Sequence, residues 1–115
     1  MTTYSIEKNK VRFTGDNSVD FEYLVKGVFE VDDVLIVWLD ITDDASEQLN
    51  VFGFNTSGDF LWRIDNVKMY YEGKACPYID VAKNDQNEVV LFNWCDTAVI
   101  IDPQTGNIIR TYQTK

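Results

Sequence analysis

Val34-Leu35-Ile36-Val37-Trp38-Leu39 is the longest unbroken apolar run in the chain, and it follows directly on Asp32-Asp33. Six residues are strand length, far short of the ~20 apolar residues a bilayer-spanning helix needs. The run is rich in β-branched and aromatic side chains and shows no alternation. It therefore reads as a central strand buried on both faces. Asp32-Asp33 is suited to a two-residue hairpin turn, with Val28-Phe29-Glu30-Val31 as the incoming strand.

The pattern outward from that run is period two almost throughout. Val19-Asp20-Phe21-Glu22-Tyr23 alternates as a half-buried strand does. Leu49-Asn50-Val51-Phe52-Gly53-Phe54 and Phe60-Leu61-Trp62-Arg63-Ile64 flank Asn55-Thr56-Ser57-Gly58, a tight turn in which Gly58 supplies a positive φ. Tyr78 to Ala82, Glu88 to Trp94, Thr97 to Ile101 and Ile108 to Tyr112 read as further strands, divided by Asn84-Asp85-Gln86-Asn87, Cys95-Asp96 and Asp102-Pro103-Gln104-Thr105-Gly106. No segment holds helical periodicity over three turns. The expected fold is all-β, a single domain over residues 1–115 with about eight antiparallel strands. The strands form meander sheets, sandwich or clam-like, with at most one short helix at 43–48 or 66–72.

Two hairpins share a form. Val51 to Trp62 and Ala98 to Ile109 each run apolar strand, Asn or Asp, turn residues, Gly, apolar strand, and their glycines lie 48 residues apart. That is close to a propeller-blade period. A closed propeller needs at least four blades, and 115 residues hold about two. Two blade-like units in a sandwich fit better.

Charge is unevenly placed. Between Phe13 and Trp62, eleven carboxylates face one basic residue, Lys26, which gives −10 out of a total of −9. Self-repulsion of this kind does not stabilise a fold, so the acidic half is either a solubilising surface or one that meets something basic. It argues against nucleic-acid binding, which needs a basic face. Asp40, Asp43, Asp44 and Glu47 are the densest group. They lack the calcium-loop pattern and its glycine, so they read as a solvated or recognition loop rather than a metal site.

The chain has no histidine, which removes Ser-His-Asp and Cys-His catalysis and the common zinc sites. No phosphate-cradling or nucleophile-elbow glycine motif is present. No residue is assigned a catalytic, cofactor-binding or metal-ligating role. The start, Met1-Thr2-Thr3-Tyr4, has neither a basic nor an apolar leader region, which leads to the expectation of a cytoplasmic protein. Cys76 and Cys95 are then expected as two buried, unbonded thiols. The tryptophans and strand phenylalanines are expected in the core, whereas Tyr70, Tyr71 and Glu72 sit in the least regular stretch, where tyrosines favour partner contacts.

Asn50 to Ile64, then Pro77-Tyr78, then Phe92-Asn93-Trp94, then Ile101-Asp102-Pro103-Gln104-Thr105-Gly106-Asn107-Ile108 resemble the layout of a family of small bacterial single-domain proteins. That family is similar to the immunity proteins encoded beside polymorphic or contact-dependent toxins. The resemblance implies a binding protein and not an enzyme. It would neutralise a basic cognate toxin, expected to be a nuclease, by covering its active or substrate-binding surface, with no cofactor, nucleic acid or membrane involved. The residues placed at that contact are Asp32, Asp33, Asp40, Asp43, Asp44, Glu47, Asp59, Tyr70, Tyr71 and Glu72. A small carboxylate-using enzyme or ligand-binding β-domain, built around Asp40, Asp80 or the Tyr70-Tyr71 loop, is the alternative.

Overall fold

The computed structural model describes residues 4–13, 17–41, 49–65, 76–93 and 95–114. Among these there are eleven strands and no helix. The first sheet is β1 (Ser5–Glu7), β2 (Lys10–Arg12) and β3 (Ser18–Asp20). The second is β4 (Val25–Val31), β5 (Val34–Leu39), β6 (Val51–Asn55) and β7 (Phe60–Arg63). The third is β8 (Tyr78–Lys83), β9 (Val89–Asn93), β10 (Thr97–Ile101) and β11 (Ile108–Gln113). Every sheet is an antiparallel meander in chain order.

The central strand explains the layering. All six residues of β5 are buried. Val34, Ile36 and Trp38 pack toward the third sheet with Tyr78, Leu91, Val99 and Ile101. Leu35, Val37 and Leu39 pack toward the first sheet with Val11, Phe13 and Phe54. Alternate side chains of a strand point to opposite faces, so an unbroken apolar run requires a layer on each side. The second sheet is the middle of a three-layer stack.

The described residues form eleven strands against the expected eight or so, and the difference lies mainly in the first twenty residues. β1 and β2 carry one apolar side chain each between polar ones, too short a pattern to register as alternation. The alternation read through Tyr23 leaves the ladder after Asp20. Phe21 still faces inward, with its ring 5.3 Å from Phe52 and 6.0 Å from Phe54.

The turns follow the residue chemistry. Asp32 and Asp33 take φ of 49° and 64°, the left-handed pair of a two-residue hairpin that Asp tolerates. Gly58 and Gly106 take 94° and 74°. The two hairpins that look alike in sequence, β6–β7 and β10–β11, occupy the same place, third and fourth strand of their sheets. Each has a register shift beside its turn.

Trp62 locks the second sheet to the third. It lies opposite Gly53 on β6, and its indole N–H donates to the Pro103 carbonyl at 2.7 Å. Gly106 lies against the same ring, where an added Cβ would come within 2.5 Å of it. Gln104 adds a bond from its amide to the Asp32 carbonyl at 2.7 Å. Trp38, Trp62 and Phe54 are core, as their strand positions suggest, but Phe60 is 60% exposed on the edge strand β7.

Candidate functional site

Antiparallel meanders sort their connections by end. The turns at Asp32-Asp33, Asn55–Gly58, Asn84–Asn87 and Asp102–Gly106 share one end, the turn end. The longer connections, 42–48 and 66–75, leave from the other, the connection end. The six residues of β5 separate the two by about 20 Å at ~3.3 Å per residue.

This divides the carboxylates read from the sequence. Asp32, Asp33 and Asp59 are exposed at the turn end. There, side chains are largely absorbed by structure. Asp59 accepts a bond from the Asn55 amide at 3.0 Å, and the Asp102 carboxylate accepts the Gln104 N–H at 2.9 Å. Glu88 receives two bonds of 2.7 Å from the Arg110 guanidinium. Those bonds, with one from Asn84, hold the Glu88 carboxyl below the usual carboxylate range. Asp32 and Asp33 have a sufficient reason to be aspartate in their turn geometry.

Asp40 lies at the connection end, half-buried, with Asp20 and Glu22 exposed nearby. The Asp40 N–H donates to the Leu24 carbonyl at 2.8 Å, which ties the two stretches together. Asp20 lies 3.7 Å from Lys10, while Glu22 and Asp40 have no side-chain partner among the described residues. Asp43, Asp44, Glu47, Tyr70, Tyr71 and Glu72 lie outside the described residues, but the flanks of their segments do not.

Asn50 fastens those flanks. It is fully buried, and its side-chain amide donates to the Leu39 and Tyr78 carbonyls, each at 2.8 Å. Its side-chain oxygen accepts the Tyr78 N–H at 2.7 Å. One side chain thus joins the chain just before 42–48, the chain just after it and the chain just after 66–75. A buried polar group is tolerable only when its bonds are made, and here all three are short. Sequence reasoning noted Asn50 only within a motif. Its role needed the positions of Leu39 and Tyr78, 11 and 28 residues away.

Cys76 and Cys95 form a disulfide with Cα atoms 5.4 Å apart. This overturns the expectation of two unbonded thiols, and with it that support for a cytoplasmic address. The expectation follows from the leaderless start and the reducing compartment it implies, whereas the pairing of β8 with β9 brings the two cysteines side by side.

Beside Asn50, an open cleft of about 280 Å³ lies between the first and second sheets. Phe21, Tyr23 and Phe52 line it, with Asp20, Glu22 and Arg63 at its polar parts. The Arg63 guanidinium lies 4.9 Å from the Phe52 ring centre, and its Nε donates to the Leu49 carbonyl at 2.7 Å. Sequence reasoning did not single out Asp20, Glu22 or Arg63. Deep in the stack, burial pushes the Tyr78 hydroxyl up to about 12, only partly offset by Asn93. Asn93 lies beside that hydroxyl, but no well-aligned hydrogen bond reaches it within the described residues. Those residues also hold no group of three or more Cys, Asp or Glu able to bind a metal, and no helix long and apolar enough to cross a membrane.

Residues 1–113 match a family described as Domain of unknown function (DUF7957). The chain belongs to the DUF7957 family. No curated protein and no solved structure matches it. The match spans all three sheets of this DUF7957 chain, so the first sheet belongs to the family's domain as much as the two meanders do.

Proposed function

We propose that this chain is a binding protein that neutralises a basic bacterial toxin by covering its active or substrate-binding surface with the connection end. The observation that supports this reading is the clamping of both partner-facing segments at one end. Asn50 holds the flanks of the acidic 42–48 stretch against the base of the 66–75 stretch, with Glu22 and Asp40 exposed or half-buried beside them. An acidic surface speeds encounter with a cationic partner, and tyrosines supply anchoring contact area. A nuclease, whose own surface is basic to hold phosphate, is the partner class such a surface suits. Asp32, Asp33 and Asp59 are about 20 Å away and serve turns, so the contact is assigned to Asp40, Asp43, Asp44, Glu47, Tyr70, Tyr71 and Glu72.

The test is co-purification with the product of the adjacent gene, with growth protection as readout. Reversal of Asp43, Asp44 and Glu47 to Lys should abolish protection, whereas neutralisation by Asp32→Asn, Asp33→Asn and Asp59→Asn should leave it intact, since Asn suits the left-handed turn at Asp32-Asp33. Equal protection by both triple variants would remove the assignment. The open cleft supports a second reading, a ligand-binding β-domain, because aromatic sides and mixed charges suit a small polar ligand.

A further inference from the structure

We infer that the Cys76–Cys95 bond is acquired in an oxidising compartment and acts as a latch on the connection end. The register carries the argument. Tyr78 pairs with Asn93 in the β8–β9 ladder. Two residues back on one strand and two forward on the other place Cys76 opposite Cys95, on the same face. The bond is the next rung of the ladder, set where β8 has not begun and β9 has ended. Its Cα separation of 5.4 Å falls within the usual range for disulfides. Both cysteines are buried, at 2% and 1% exposure, so a reductant reaches the sulfurs only after local opening.

A core of this size needs no covalent staple. What the bond adds is specific to its place. Cys76 is the residue next to the 66–75 segment, and backbone pairing on β8 starts only at Tyr78. The latch holds that flank where ladder hydrogen bonds have run out. Reducing cytosols keep such thiol pairs open, so a bond built into the interior belongs to a chain that meets an oxidant. The step is exchange with a thiol–disulfide oxidoreductase. The two thiols give up two protons and two electrons, one S–S bond forms here, and the oxidoreductase disulfide breaks to a dithiol.

The inference does not depend on the toxin reading. If both hold, the partner is met outside the reducing cytoplasm.

The first experiment is acid quenching of cells that naturally make the chain, followed by alkylation and intact mass measurement. Alkylation of no cysteine before reduction and two after it is expected. Two alkylated thiols in the direct quench would overturn the compartment. The second is hydrogen exchange on the purified chain, with and without reductant, and on the Cys76→Ala/Cys95→Ala variant. Closing a loop with a sequence separation of 19 corresponds to on the order of 100-fold in the opening equilibrium of the segment the bond holds. The latch predicts that amides at Tyr78 and Asn93 accelerate more than those of β5. Uniform acceleration, or complete unfolding on reduction, would overturn the latch and leave a staple of the whole fold.

Discussion

Replacing Asn50 tests the clamp most directly. Asn50→Ala removes two bonds of 2.8 Å and one of 2.7 Å, all in a fully buried site. It leaves one N–H and two carbonyls without those partners. A buried orphan costs about 1–3 kcal/mol, the carbonyls less than the N–H because each keeps a second lone pair. A total loss of about 3–5 kcal/mol is expected, a large share of the roughly 5–15 kcal/mol that holds a domain together. Asn50→Asp separates shape from hydrogen bonding, since a carboxylate would face two carbonyl oxygens. The folded state would keep that carboxyl protonated, so its folded pKa lies above the unfolded ~3.9. The sign follows: the penalty is smallest below pH ~4 and grows by up to about 1.4 kcal/mol per pH unit above it. Urea unfolding followed by tryptophan fluorescence, repeated from pH 4 to 8, reads both variants. A loss under about 1 kcal/mol for Asn50→Ala, or a pH-independent penalty for Asn50→Asp, would refute the clamp.

Gly106→Ala should cost about 2–4 kcal/mol, because a Cβ at φ 74° is strained and also meets Trp62 at 2.5 Å; thermal unfolding checks it. Tyr78→Phe should leave stability unchanged or raise it by up to ~1 kcal/mol, since the lost hydroxyl makes no well-aligned hydrogen bond within the described residues. The same variant should abolish a pH effect of the parent. With the folded pKa pushed up to about 12 from 10, stability is fully present below pH 10 and falls between 10 and 12. Tyrosinate absorbance in the native state should show a late-ionising component in the parent that Tyr78→Phe lacks. Lys reversal at Asp43, Asp44 and Glu47 should shift the urea midpoint little, because loop charges contribute roughly 0–1 kcal/mol. It should raise the dissociation constant for a basic partner most strongly at low salt.

The layers were legible where side chains repeat with the strand period. Val34 to Leu39 gave a central strand, Asp32-Asp33 and Gly106 gave turns, and the likeness of β6–β7 to β10–β11 matched equivalent places in two sheets. The short polar strands β1 and β2 were not legible, since three residues with one apolar centre look like loop. The site was less legible because it depends on which end each connection leaves from. Asp32 and Asp59 lie in the same acidic stretch as Asp40, yet antiparallel pairing sends them to the opposite end. Asn50 and the cysteine pair were hidden for one reason. Each acts through partners 11 to 28 residues away, which only register brings into contact.

Because none of the described strands crosses between sheets, each sheet is complete as soon as its last described strand has been made. Closure of short loops costs little chain entropy, so the meanders can assemble in the order of synthesis and quickly for a β protein. The middle sheet then carries an exposed stripe of Val34, Ile36 and Trp38 until Tyr78, Leu91 and Val99 arrive to cover it. A chain cut short after Arg63 and released is therefore a sticky two-layer intermediate. Aggregation during synthesis, rather than slow refolding of the finished chain, is the hazard this architecture sets.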